Sequence, residues 1–138
     1  MAGALKHAGE EHMSGLVLYI DTSDVRPGEL GALKAGLEEL ARFVEANEPR
    51  ILAYNAYFSG NGSRLSVVHL HPDEASLDFH MKVAGPRFAP FARYVTLKTI
   101  EIFGAPDEEL LLQLRKKAEL LGGGTVIVRE LHAGFDRL

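Results

Sequence analysis

The pattern of apolar and polar positions along the chain predicts five strands and three helices. Segments rich in β-branched and aromatic residues, typical of strands, cover residues 15–22, 50–58, 64–72, 95–104 and 125–131. Between them, apolar residues recur at intervals of three and four, as on one face of a helix. These helical segments cover residues 24–49, 73–94 and 106–121.

Turn and cap residues set the expected boundaries of these elements. Pro27 is expected in the first turn of the first helix, and Asp73 is expected to be the N-cap of the second. Residues 59–63, Ser-Gly-Asn-Gly-Ser, predict a hairpin loop because Asn-Gly tolerates positive φ. Gly85 and Pro86 predict a break in the second helix.

The resulting order is β-α-β-β-α-β, followed by α-β. The first six elements predict an α+β fold with a ferredoxin-like split βαβ arrangement and an antiparallel sheet. We expect residues 1–13 to be a flexible lead-in and residues 14–104 to form the ferredoxin-like domain. Residues 105–138 are then a C-terminal helix-strand extension, either part of the same domain or part of a dimer interface.

The second strand has apolar side chains on both of its faces. Residues 51, 53 and 57 point one way and residues 52, 54, 56 and 58 the other, and most of them are apolar. Two helices cover only one face of a four-stranded sheet, so the other face needs a cover. A second copy of the chain is the simplest one and predicts a homodimer with a dimeric α+β barrel. The alternative is that the C-terminal helix covers that face.

The composition of the 138 residues narrows the class of protein. There is no cysteine, which excludes disulfides, thiolate nucleophiles and zinc ribbons. The net charge is −4 with scattered basic residues, which argues against a nucleic-acid partner. No apolar run approaches the roughly 20 residues of a membrane span, and the first residues do not resemble a secretory signal. We therefore expect a cytoplasmic protein with no membrane partner.

Residues 75–91, ASLDFHMKVAGPRFAPF, carry the most informative pattern. On a helix, one face gathers Leu77, Met81, Ala84, Phe88 and Phe91. His80 lies beside that face, where an aliphatic side chain is expected. It is either a core histidine with satisfied ring nitrogens or a proton acceptor in a pocket, because imidazole titrates near neutral pH.

This stretch, following the strand and turn VVHLHPD, resembles the antibiotic biosynthesis monooxygenase-like family of dimeric α+β barrel proteins. Members carry a His near the middle of this helix, followed by a small residue, Pro and an aromatic residue. The matching positions here are His80, Gly85, Pro86 and Phe88. The resemblance covers about residues 14–104 and leaves residues 105–138 outside it.

The resemblance implies oxidation of an aromatic quinol-type substrate, or a similar apolar small molecule, by O2 without a cofactor. A base deprotonates the phenol, and the electron-rich anion reduces O2 directly inside a dry pocket. The haem-degrading members of this fold use an Asn, a Trp and a His. The chain contains no Trp, which counts against haem degradation.

His80 and Asn55 are the candidate catalytic residues. Asn is disfavoured in the middle of a strand, so Asn55 either orients a substrate oxygen or bridges a neighbouring strand. Candidate substrate-binding residues are aromatic or cationic, and each has an ordinary alternative role in core packing or at the surface. These are Tyr19, Tyr54, Tyr57, Phe79, Phe88, Phe91 and Arg87. The basic run 115–117 is expected on the solvated face of the last helix.

His69 and His71 form an H-x-H pair on one face of the third strand. Such a pair ligates metals when a third group such as Asp73, Glu74 or His80 joins it. The alternative is two ordinary histidines at the end of a strand. Three functions stay open: a monooxygenase without cofactor or metal, a non-catalytic small-molecule-binding or assembly dimer, and a metal-binding protein built on this pair.

Overall fold

The computed structural model describes residues 15–138, so the predicted lead-in over residues 1–13 lies outside the described residues. The strands are β1 (Val17–Val25), β2 (Ala53–Phe58), β3 (Arg64–His71), β4 (Val95–Phe103) and β5 (Thr125–Arg129). The helices are α1 (Leu30–Asn47), α2 (Glu74–Ala84) and α3 (Glu108–Leu120). Two short 3₁₀ helices, Gly85–Arg87 and Ala89–Arg93, lie between α2 and β4.

The five strands form one mixed sheet in the order β2-β3-β1-β4-β5. The first four are antiparallel neighbours, which confirms the ferredoxin-like α+β arrangement. β5 adds to β4 in parallel, from Thr99 opposite Thr125 to Phe103 opposite Arg129. The C-terminal strand therefore extends the sheet of its own chain.

The helix boundaries follow the caps that the sequence contains. The Asp73 carboxylate accepts the Ser76 N–H at 2.9 Å, as expected for the N-cap of α2. α2 ends at Ala84, and the chain then continues as 3₁₀ turns across Gly85 and Pro86. The expectation for Pro27 was wrong, because α1 begins only at Leu30. Gly28, at φ +81°, places a turn between Pro27 and the helix.

All three helices cover the same face of the sheet. β1 points Val17, Tyr19, Asp21 and Ser23 towards them, and all four side chains are buried. Leu40 of α1, Leu77 of α2 and Leu114 of α3 pack in one core with residues of this face. The alternative in which the C-terminal helix covers the opposite face is thus excluded.

The opposite face of the sheet is uncovered in the single chain. Leu18 and Ile20 of β1 and Val68 and Leu70 of β3 point there, and each is partly exposed. Tyr57 of β2 is 56% exposed on the same face. We call the surface formed by these five residues the open face. No helix among residues 15–138 is long and apolar enough to cross a membrane.

Candidate functional site

A buried carboxylate-imidazole pair links the end of α1 to the middle of α2. Glu48 follows the last residue of α1 and donates its backbone N–H to the Val44 carbonyl. Its carboxylate oxygens lie 2.8 and 2.9 Å from Nδ1 of His80. Both side chains are almost completely inaccessible, at 1% and 0% exposure. His80 thus faces the sheet, as the phase of α2 indicates.

The Glu48 contact determines which ring nitrogen of His80 carries the proton. A carboxylate only accepts hydrogen bonds, so Nδ1 must donate and neutral His80 holds its lone pair on Nε2. Nε2 is buried and has no hydrogen-bond partner among the described residues. Burial lowers the pKa of His80 below its usual value, although the hydrogen bond to Glu48 acts in the opposite direction. Nε2 is therefore a proton acceptor at neutral pH.

Two further buried histidines, His69 and His71 of β3, lie against His80. The His69 ring stands edge-on to the His80 ring with centroids 4.5 Å apart, and it stacks on Tyr19 at 4.2 Å. Both nitrogens of His69 lack partners among the described residues. His71 shares a hydrogen bond of 2.8 Å with the Ser76 hydroxyl. Burial lowers the pKa of His69 well below its usual value and that of His71 to about 3.

Tyr19 and Asp21 of β1 form a second buried polar cluster with Lys117 of α3. The Tyr19 hydroxyl donates to the Asp21 carboxylate at 2.6 Å. The Lys117 ammonium of α3 donates to the Tyr19 oxygen at 2.6 Å and to Asp21 at 3.3 Å. It also lies 4.3 Å from the Phe88 ring centroid, within cation–π range. Burial lowers the pKa of Lys117, and the Asp21 charge partly opposes this shift.

Lys117 is one of twelve residues that line a small cavity. The cavity has a volume of ≈ 40 Å³. Its polar lining comes from Asp21, Ser23, Tyr54 and Lys117, and eight apolar side chains form the rest of the wall. Phe88 and Phe91 belong to this wall.

An open groove of ≈ 470 Å³ runs between α1 and the edge strand β2. We call it the α1–β2 groove; it is lined by Lys34, Leu37, Glu38, Ala41 and residues 54–58. Leu37 and Tyr54 line both the groove and the cavity, so they form a shared wall. The Tyr54 ring also lies 5.6 Å from the His80 ring and 4.6 Å from the His69 ring.

The structure brings together only part of the predicted site. Tyr19, Tyr54 and Phe88 surround the buried histidines. Asn55 is exposed and points away from the helices, so it does not meet His80, although it lines the α1–β2 groove. The reason is the alternation of β2, in which Tyr54 pairs with His69 on the helix-covered face and its neighbour points the other way.

Three other predicted binding residues lie outside the buried site. Tyr57 belongs to the open face, and Phe79 is 46% exposed on the outer side of α2. The exposed Arg87 guanidinium stacks 3.7 Å from the centroid of the Phe43 ring. Phe79 therefore does not join the aromatic wall that Phe88 and Phe91 form.

The structure corrects the expectation for the basic run of α3. Arg115 and Lys116 are exposed as expected, but Lys117 is buried at 7% exposure.

The His69 and His71 pair has no third ligand for a metal ion among the described residues. Across residues 15–138, no group of three or more His, Asp or Glu side chains is arranged to hold a metal ion.

Glu48, Asp21 and Lys117 belong to the site but are not among the site residues that the sequence predicts. Glu48 lies after the apolar stripe of α1, and its partner is 32 residues away, so local sequence carries no signal. Asp21 and Lys117 did leave a signal. Asp21 alternates with the inward residues Val17 and Tyr19, and Lys117 follows Leu110 and Leu114 at helical spacing.

Comparison with known proteins finds similar folds among solved structures. No family model and no curated protein matches the chain. Among solved structures, it is similar to MupZ from Pseudomonas fluorescens at 19% identity and TM-score 0.68, over 88% of this chain and 94% of that one. It is also similar to a mutant of SnoaB from Streptomyces nogalater, a cofactor-independent oxygenase. That match has 14% identity and TM-score 0.57, over 67% of this chain and 95% of that one.

A third similar structure is named after the family that the sequence resembles. It is the "putative antibiotic biosynthesis monooxygenase" from Caulobacter crescentus, at 22% identity and TM-score 0.60, over 73% of this chain and 99% of that one. The fold is that of the antibiotic biosynthesis monooxygenase-like proteins. At these identities the likeness concerns the fold, and function must be argued from the site.

Proposed function

We propose that the protein is a cofactor-independent monooxygenase that oxidises an aromatic quinol-type or similar apolar small molecule with O2. The observation that carries the proposal is the buried Glu48–His80 pair with its unpartnered Nε2. A neutral imidazole, held in one tautomer by a carboxylate and surrounded by aromatic rings, is a suitable base for a phenolic proton.

The α1–β2 groove supplies the room for a ring system. The cavity of ≈ 40 Å³ is too small, since a protein cavity known to hold a single benzene ring measures about 150 Å³. The groove measures ≈ 470 Å³, and the Tyr54 ring that lines it lies 5.6 Å from the His80 ring. In our proposal the substrate lies in this groove. Rotation of the Tyr54 side chain then lets the phenolic hydroxyl of the substrate reach Nε2 of His80.

The reaction needs only the substrate, O2 and one base. His80 takes the phenolic proton, and the phenolate gives one electron to O2, producing a phenoxyl radical and superoxide. These combine at the para carbon as a peroxide anion, which takes the proton back from His80. Loss of the ring C–H proton and cleavage of the O–O bond then release water and leave a quinone, so one oxygen atom enters the product.

O2 consumption with 1-naphthol, a two-ring phenol with a free para position, tests this proposal. Wild type should consume O2 and release naphthoquinone in the presence of a metal chelator. His80→Gln should lower kcat by about 10²-fold, the usual contribution of a general base. His132→Gln, at an exposed histidine, should leave kcat unchanged. Equal rates in all three proteins would refute a role for His80.

The second candidate is a non-catalytic dimer that binds a small molecule or serves in assembly. The tight interior favours it, because the space between helices and sheet holds a cavity of only ≈ 40 Å³. This candidate predicts saturable quenching of tyrosine fluorescence by 1-naphthol without O2 consumption, or no binding at all. The same assay therefore separates the two functions.

We also propose that the chain forms a homodimer through the open face. Its apolar residues Leu18, Ile20, Val68 and Leu70 are only partly covered within one chain, and all three helices lie on the other side. A second copy of the same face would complete the core and close a dimeric α+β barrel.

A further inference from the structure

Lys117 comes from the part of the chain that lies outside the sequence resemblance. α3 places its ammonium beneath the sheet, where the side chain is only 6% exposed. Of its three N–H donors, one serves the Tyr19 oxygen and one serves Asp21. Among the described residues no further acceptor contacts it, so one donor remains available, and Lys117 is one of the residues that line the cavity.

A buried ammonium carries a cost in free energy, so packing alone does not explain why Lys117 is a lysine. Removing the charge from water carries a penalty that an ion pair rarely recovers in full, and an apolar pair of similar volume often stabilises a core as well. Here Lys117 lines a partly enclosed space, and its ammonium lies 4.7 and 4.3 Å from the ring centroids of Tyr19 and Phe88. A cation in such surroundings interacts strongly with any negative charge that develops nearby.

The size and lining of the cavity restrict what it can hold. A volume of ≈ 40 Å³ admits about three or four molecules of the size of water, at about 10–15 Å³ each. Eight of its twelve lining residues are apolar: Leu37, Leu40, Leu65, Val67, Phe88, Phe91, Val95 and Leu121. Such a space suits a small apolar molecule, while an aromatic ring does not fit.

We propose that this cavity is the O2 site and that Lys117 stabilises the superoxide formed there. The inference rests on the proposed oxygenase function and deepens it. The substrate ring lies in the α1–β2 groove on one side of the Tyr54 wall, and O2 lies on the other side. When the phenolate gives one electron to O2, the negative charge moves from the substrate oxygen to the diatomic molecule. The free N–H of Lys117 then meets that charge.

Steady-state kinetics with 1-naphthol at varied O2 tests the assignment. Lys117→Met should lower kcat/KM for O2 by about 10²-fold, as expected when one donor to a developing charge is lost. The KM for naphthol should change less than twofold. Lys116→Met, one residue away and exposed, is the matched control. If Lys117→Met does not fold, the paired variant Asp21→Asn/Lys117→Met removes both charges and should show the same loss.

The outcomes separate this inference from the function on which it rests. No turnover by wild type would refute the oxygenase. Wild-type turnover with an unchanged kcat/KM for O2 in the Lys117 variants, or with a raised KM for naphthol instead, would overturn the O2 assignment alone. A crystal under xenon pressure gives a readout independent of turnover. We expect xenon in the cavity, and a cavity that holds only ordered water would contradict the proposal.

Discussion

The carboxylate of Glu48 lies within 2.9 Å of Nδ1 of His80 through both of its oxygens, although the two residues are 32 positions apart. The contact joins the C-terminal end of α1 to the middle of α2. It also makes Nε2 the free nitrogen of the imidazole, because a carboxylate cannot donate. One interaction thus fixes both the packing of two helices and the base of the proposed reaction.

Removing the Glu48 charge should weaken the fold. Glu48→Gln exchanges a charge-assisted hydrogen bond for a neutral one in a buried position. We expect a loss of about 1–3 kcal/mol in the free energy of unfolding, measured by urea titration. Glu45→Gln, one turn earlier on the exposed side of α1, should change it by less than about 0.5 kcal/mol. A similar effect of both substitutions would show that the buried pair contributes nothing specific.

Acid should destabilise the protein through its buried histidines. The pKa of His69, His71 and His80 is lower in the folded chain than the ordinary value of about 6.5. Their stabilising contribution is therefore complete above that pH and is lost as the pH falls towards the folded values, about 3 for His71. Each histidine should contribute a slope of up to about 1.4 kcal/mol per pH unit. Urea titrations from pH 7 to pH 5 would measure it.

His69 offers a matched test of that acid dependence. Its two nitrogens make no hydrogen bonds with the described residues, so His69→Phe removes a titrating group and keeps a ring on Tyr19. We expect the variant to be more stable than wild type at pH 5 and its slope to be shallower. His132→Phe, at an exposed position, should retain the wild-type slope. An unchanged slope in His69→Phe would mean that His69 is already charged or solvated.

A double substitution should show that Asp21 of β1 and Lys117 of α3 stabilise the fold as a coupled ion pair. Lys117→Met leaves the Asp21 carboxylate buried without its cation and should cost about 3–5 kcal/mol of unfolding free energy. Adding Asp21→Asn removes that uncompensated charge and should recover most of the loss. The exposed control Lys116→Met should stay within about 0.5 kcal/mol of wild type. Additive losses in the double variant would show that the two side chains are not coupled.

The proposed homodimer depends on the open face. Light scattering of wild type should give twice the 15.1 kDa chain mass. Val68→Asp places a charge directly opposite Ile20 on that face and should dissociate the dimer. Leu112→Asp, on a side chain of α3 that is already 51% exposed, is the control and should leave the mass unchanged. A wild-type mass of one chain would remove the proposal.

Local sequence was enough to predict the element order and the orientation of His80. The cap at Asp73 and the break at Gly85 are chemical signals within a few residues. His80 follows Leu77 by three residues, so helical phase places it beside the core. The pairing with Glu48 depends on how α1 and α2 pack against each other, and no short-range pattern encodes it.

The spacing of residues in α3 does indicate that Lys117 is buried, although the prediction placed it in solvent. Three basic residues in a row suggested solvent, yet the spacing Leu110, Leu114, Lys117, Leu121 follows one helical face. The prediction followed the residue type and not the helical spacing, because a buried lysine is rare without a partner. Asp21 provides that partner from β1, on the opposite side of the core layer.

The proposed reaction requires an unprotonated Nε2 on His80, and nitrogen NMR of the imidazole rings measures this directly. At pH 7 the His80 ring should show a protonated Nδ1 and an unprotonated Nε2, and it should keep them until the pH falls below the ordinary histidine range. Glu48→Gln should lower the pKa of His80 further, because the hydrogen bond that raises it is weakened. A doubly protonated His80 at pH 7, or a proton on Nε2 instead of Nδ1, would contradict the proposed base.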